Sequence, residues 1–184
     1  MSEKKASFDL PQWSLTVYIE NNYETEIPQD YRLDREVLTA IPWKNWFETW
    51  LTELTADLPS AEAYEVSLRL TSDREIQLLN SQYRQQDKPT DVLAFAILED
   101  PFPQEIVRDE PLYLGDIVIS LDTACQQARS QQKKPILELA FLASHGLLHL
   151  LGWDHLDLES EQQMLARQEN LMQLIGLSEV YLTC

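Results

Sequence analysis

Residues 145–155 read HGLLHLLGWDH, and this run carries all three histidines of the chain: His145, His149 and His155. A lone histidine on an apolar helix is ordinarily a satisfied core residue. Three in one short segment, with none elsewhere, point to a shared role. His145 and His149 are four residues apart, so on a helix they share one face, about 6 Å apart along the axis. Gly152 ends that helix and lets the backbone reverse, which can swing His155 toward the other two. Three imidazoles hold a divalent metal and leave one position open for water, the pattern of a catalytic zinc site rather than a closed structural one. The expectation is one Zn2+ per chain, on His145, His149 and His155.

The spacing is that of the metzincin proteases, H-E-x-x-H-x-x-G-x-x-H, with one letter changed. The glutamate that serves there as general base is Gly146 here. Glycine cannot take a proton, so the cage is present without the group that activates water for peptide attack. A zincin-type metalloprotease is therefore the disfavoured alternative.

Outward from this run, Pro135 opens the helix, and Ile136 to Leu151 is apolar on nearly every face, as in a central helix. Asp157 begins the last helix, with Glu159 and Glu161 favourable in its first turn. Upstream, Leu112 to Ser120 (LYLGDIVIS) reads as a strand. Val92 to Leu98 is a continuous apolar run, expected for a central strand covered on both faces. Ser72 and Glu75 form an S-x-x-E capping box for a helix that stops before Lys88-Pro89. Strands are also expected where Tyr64, Val66, Leu68 and Leu70 alternate with polar residues, and over Trp13 to Glu20. Trp43, Trp46, Phe47, Trp50, Leu51 and Leu54 fall at helical spacing and read as a buried core face rather than an aromatic platform for RNA. The sum is an α+β domain with a small mixed sheet of about four strands and about five helices.

The 184 residues suit a single domain spanning 1–184. Two cysteines make neither a disulfide framework nor a zinc ribbon, which fits a reducing cytoplasm. No apolar run approaches the roughly 18 residues of a membrane span, and the N-terminus lacks a signal-peptide stretch. The chain is expected to be cytoplasmic, with no membrane partner. Its net charge of −17 argues against nucleic-acid affinity taken alone, because phosphate is gripped by Lys and Arg. The charge is segregated, however. Arg129, Lys133 and Lys134 lie in a stretch free of acids, and Arg69, Arg74, Arg84 and Lys88 lie in residues 69–88 against three acids. A local basic groove beside the metal would answer the objection.

HGLLHLLGWDH resembles the signature H-G-x-L-H-L-x-G-[YW]-D-H of the YbeY family of metal-dependent endoribonucleases. LNSQYRQQDKPTDVLAFA (residues 79–96) is similar to that family's L-N-x-x-Y-R-x-x-x-x-x-T-D-V-L-S-F-P segment, with Ala94 in place of serine and Ala96 in place of proline. LGDIVIS matches a third block. The best-matching part is 61–176, and residues 1–60 form a divergent N-terminal part. The resemblance implies a zincin-like fold and zinc on the three histidines. It also implies cleavage of single-stranded ribosomal RNA, in small-subunit 3′-end maturation and ribosome quality control. Arg84 and His145 carry over as the catalytic residues. The small ribosomal subunit and assembly factors carry over as partners, and no DNA is expected. A non-catalytic ribosome-assembly factor with a structural metal is a further alternative. Asp154, Asp91 and Asp116 could support the site or simply turn the chain.

Overall fold

The computed structural model describes residues 13–23, 35–97, 110–154 and 157–177. The element order is β1 (Ser14–Asn21), α1 (Arg35–Ala40), α2 (Trp43–Glu53), a 3-10 turn (Thr55–Asp57), β2 (Ala63–Thr71), α3 (Asp73–Arg84), β3 (Val92–Ala96), β4 (Leu112–Ser120), α4 (Leu121–Ser130), α5 (Pro135–Leu150) and α6 (Leu158–Leu174). The α+β class and the four-stranded mixed sheet are as the sequence predicts. Six helices are described rather than about five, because α1 is a six-residue segment too short to leave a periodic signature.

The sheet runs β1-β2-β4-β3. The first three strands are parallel, and β3 pairs antiparallel with β4. The expectation that Val92–Leu98 forms a central strand is therefore corrected: among the described residues β3 (Val92–Ala96) pairs only with β4 and lies at the sheet's margin. Its apolar run has another cause. Val92, Ala94 and Ala96 pack on the main core, while Leu93 and Phe95 pack with Ile76, Leu79 and Val118 on the opposite face. Coverage of both faces makes a strand apolar whether or not both of its edges are paired.

The main core lies between the sheet and α2, α4, α5 and α6. The aromatic face of α2 is buried there as expected, and the Trp50 indole N–H donates to the Leu171 carbonyl of α6 at 2.9 Å. α3 covers β3 and β4 from the other side. The start of α3 is half of the expected capping box. The Ser72 hydroxyl accepts from the Glu75 amide, while the Glu75 carboxylate turns instead to the Thr71 hydroxyl and to Arg69.

Two helix starts are locked together at the C-terminal ends of β2 and β4. The Ser120 and Thr123 hydroxyls both donate to Asp73 Oδ1, and the Asp73 amide donates to Asp122 Oδ2 at 2.8 Å. The first turns of α3 and α4 thus hold each other, and each places a carboxylate at the other's positive end. This fixes the frame on which α5 rests.

Candidate active site

α5 starts at Pro135, where a missing N–H costs nothing, and buries most of its length against β3, β4, α4 and α6. Gly146 faces the sheet. A β-carbon there would stand 2.7 Å from Ile117 Cγ2, so the helix rests on β4 through a position with no side chain. The half-buried His145 and His149 lie beside it on the flank of α5. Their rings stand edge to face, centroids 4.6 Å apart, and their Nε2 atoms converge to 3.1 Å.

That separation suits a shared ion. Two nitrogen ligands of one tetrahedral zinc, each at about 2.0–2.1 Å, stand roughly 3.3 Å apart. Imidazole nitrogen also suits the chemistry of zinc. Behind the pair the helix closes as expected: Gly152 takes φ +83°, its amide donates to the His149 carbonyl, and the Trp153 amide donates to Leu148. His155 lies outside the described residues, and no group of three ligands is complete among those described. The chain is described again from Asp157, which caps α6 in a reciprocal box with Ser160. α6 is clamped back onto α5 by Gln168, whose amide donates to the Phe141 carbonyl at 2.7 Å. Both helices that flank His155 in the sequence, α5 and α6, are therefore anchored.

The other expected residues are dispersed. Arg84 is exposed at the C-terminal end of α3, on the face of the sheet opposite α5. Both helices end at the same end of the sheet. Tyr83 meets Phe95 edge to face at 5.0 Å, and the Phe95 carbonyl and Leu150 Cδ2 both crowd Gly115. Arg84 and the histidines thus flank the sheet margin from its two sides. Arg129, Lys133 and Lys134 are not beside the pair. They sit at the opposite end of α5, where Lys134 lies 11 positions before His145, roughly 16 Å along the helix axis. The basic groove beside the metal is not formed by them.

Asp154 is exposed in the turn. Asp116 lies on the α3 side of the sheet opposite Phe95 and bonds the Tyr113 hydroxyl. Burial and that carboxylate hold the Tyr113 phenol well above its usual range. Asp91 is a structural node: its Oδ1 accepts from the Val92 amide at 2.8 Å and the Thr90 hydroxyl at 3.1 Å, and its Oδ2 from Gln127 Nε2 at 2.9 Å. The position that sequence reasoning passed over is Gly115. A glycine inside a strand pattern signals a bulge or a close backbone approach, and here both hold: the β2–β4 register shifts beside it, and its φ is +136°.

The sequence profile of the family described as endoribonuclease YbeY matches residues 28–176. The chain belongs to the endoribonuclease YbeY family. The match begins well upstream of the three blocks that first carried the resemblance. Endoribonuclease YbeY of Trichormus variabilis is 52% identical over 162 residues, covering 87% of this chain and 90% of that protein. Endoribonuclease YbeY of Picosynechococcus is 47% identical, covering 91% of this chain and 98% of its relative. The solution structure of TM1509 from Thermotoga maritima shares the fold. Its TM-score is 0.51 at 26% identity, over 88% of this chain and 90% of the other. Among the described residues no helix is long and apolar enough to cross a membrane.

Proposed function

We propose that this chain is a zinc-dependent endoribonuclease, specific for single strands, that works as one domain in the cytoplasm. Its substrate is the 3′ region of small-subunit ribosomal RNA, in maturation and in ribosome quality control, and its partners are the small subunit and assembly factors. Family membership makes the chain a hydrolytic nuclease. The observation that carries the zinc reading is the convergence of His145 and His149 Nε2 to 3.1 Å ahead of a turn leading to His155. His145, His149 and His155 would hold the ion. When bound, zinc supplies Lewis-acid stabilisation of charge on a phosphate oxygen.

The chain's own residues do the rest. α5 fixes the direction of two imidazoles before any metal arrives, because its sheet-facing side is packed solid. Arg84 offers a guanidinium fork to a non-bridging phosphate oxygen from the far side of the sheet margin. Gly146 disfavours the protease reading twice over, since it has no carboxylate and no room for one beside Ile117.

The test combines metal analysis with cleavage assays for wild type and His149→Ala, using single-stranded RNA and casein, with and without chelator. Zinc-dependent RNA cleavage lost in the variant supports the proposal, and casein cleavage overturns it in favour of a protease. Ribosome association with neither substrate cut would leave an assembly factor with a structural metal.

A further inference from the structure

Arg167, on α6, reaches three other parts of the fold at once. Its Nη1 lies 3.7 Å from Glu53 Oε1 at the end of α2, and its Nη2 lies 3.4 Å from Asp57 Oδ2 in the 3-10 turn. Asn170, three residues further along α6, donates to the same Glu53 oxygen at 2.9 Å. The Arg167 guanidinium carbon stands 5.5 Å from the centre of the Trp153 ring, within the roughly 6 Å over which an aromatic face holds a cation. Nε of Arg167 is buried and has no hydrogen-bond partner, so the side chain is not simply a solvated charge. Ion pairs as open to water as these add little stability by themselves. What they do is aim the guanidinium at the ring.

Trp153 is the group on which this arrangement acts. It stands between His149 and His155 in the sequence, directly after the turn at Gly152. Its amide donates to the Leu148 carbonyl at 3.0 Å, which ties it to α5 through the backbone. Its half-buried ring packs on the main core and takes the Arg167 cation. We propose that Arg167 is a positioning residue for the metal-binding turn: held by Glu53 and Asp57, it fixes the Trp153 ring and so the course of the chain from His149 toward His155. The proposal rests on the zinc reading of the three histidines. Arg167 touches neither metal nor substrate; it spares the third ligand the loss of freedom on binding. Arginine suits this role because one planar group can lie on a ring and present a fork of donors to two carboxylates, whereas lysine offers only a point charge.

The first test is zinc affinity, measured on the full chain by competition with a chromophoric chelator. Arg167→Leu should bind zinc roughly tenfold more weakly, the usual scale for losing a group that orients a metal ligand from behind. Arg167→Lys should fall between that variant and wild type. Adding Arg167→Leu to Trp153→Leu should weaken binding little further, because one residue acts through the other. Wild-type affinity in Arg167→Leu would overturn the proposal, and so would a further tenfold loss in the double variant. If Arg167→Leu does not fold, Arg167→Lys decides: a partial loss supports the proposal and wild-type affinity overturns it.

The second test needs neither zinc nor activity. Amide hydrogen exchange is followed by NMR in the full chain without added metal. In Arg167→Leu the Gly152 and Trp153 amides should exchange faster by about tenfold, while amides of β2 and β4 keep their rates. Unchanged exchange at Trp153 would overturn the clamp. Equal acceleration throughout the sheet would also overturn it, since Arg167 would then serve general stability alone. If wild type itself binds no zinc, the zinc reading fails, and exchange at Trp153 still judges whether Arg167 holds the turn.

Discussion

Gly115 and Phe95 approach so closely that a β-carbon on Gly115 would lie 2.1 Å from the Phe95 carbonyl oxygen. Leu150 Cδ2 would meet the same atom at 2.9 Å. The pairing of β3 with β4 and the seating of α5, one residue past His149, both depend on this absent side chain. Gly115→Ala adds left-handed strain to the clash. The expected loss is roughly 2–5 kcal/mol, a fall of about 5–15 °C in thermal midpoint for a chain of this size. Calorimetry of the purified variant measures it, and an unchanged midpoint would show that the sheet yields more readily than this contact allows.

Gly146 predicts a smaller effect with a chemical corollary. Alanine there gains about 1 kcal/mol of helix propensity and pushes on the fully buried Ile117 at a cost of about 1–3 kcal/mol. A net loss of roughly 1 kcal/mol in urea unfolding is expected for Gly146→Ala. Gly146→Glu should destabilise much more and gain no casein cleavage; protease activity in that variant would mean the helix rotates to present residue 146 to the metal.

Removing any one imidazole should empty the proposed metal site. His145→Ala, His149→Ala and His155→Ala are each expected to lose most of their zinc by elemental analysis, and RNA cleavage with it. Full occupancy in one of them would take that residue out of the cage.

Arg84 is exposed and holds no ion pair among the described residues, so its removal should leave stability within about 0.5 kcal/mol. Cleavage is expected to fall about 10²–10³-fold in Arg84→Ala at unchanged zinc content, the usual effect of losing one donor to a developing oxyanion. Arg84→Lys should recover part of it, keeping charge but not the fork. Single-turnover cleavage of a short RNA decides, and wild-type rates in Arg84→Ala would remove the residue from the chemistry.

The readable parts of this fold are those where one residue type at one spacing has one physical cause. Pro135, the apolar helix and Gly152 fix α5 from end to end, and the i, i+4 histidines then have to converge. The aromatic stripe of α2 is buried for the same reason. The place of β3 in the sheet is not legible, because hydrophobicity reports what covers a strand's faces and says nothing of what pairs with its edges. Gly115 left a visible mark in LYLGDIVIS, but the carbonyl it makes room for belongs to a strand more than a dozen residues earlier. Glu138 is harder still. Beside Leu137 and Leu139 it looks like a solvated charge, and only the folded structure shows it buried at the start of α5.

The position of Arg84 and the histidine pair on opposite faces of one sheet end has a mechanical consequence. An RNA strand that reaches both, as the proposed function requires, has to turn around the β3 side of the sheet. A double helix, with a persistence length of about 50 nm for DNA, resists that curvature, whereas an unpaired strand rotates freely about its backbone bonds and follows it. On the proposed function, selectivity for unpaired RNA would then need no side chain that reads base pairing: stiffness itself would be the filter, and the folded protein would supply the corner.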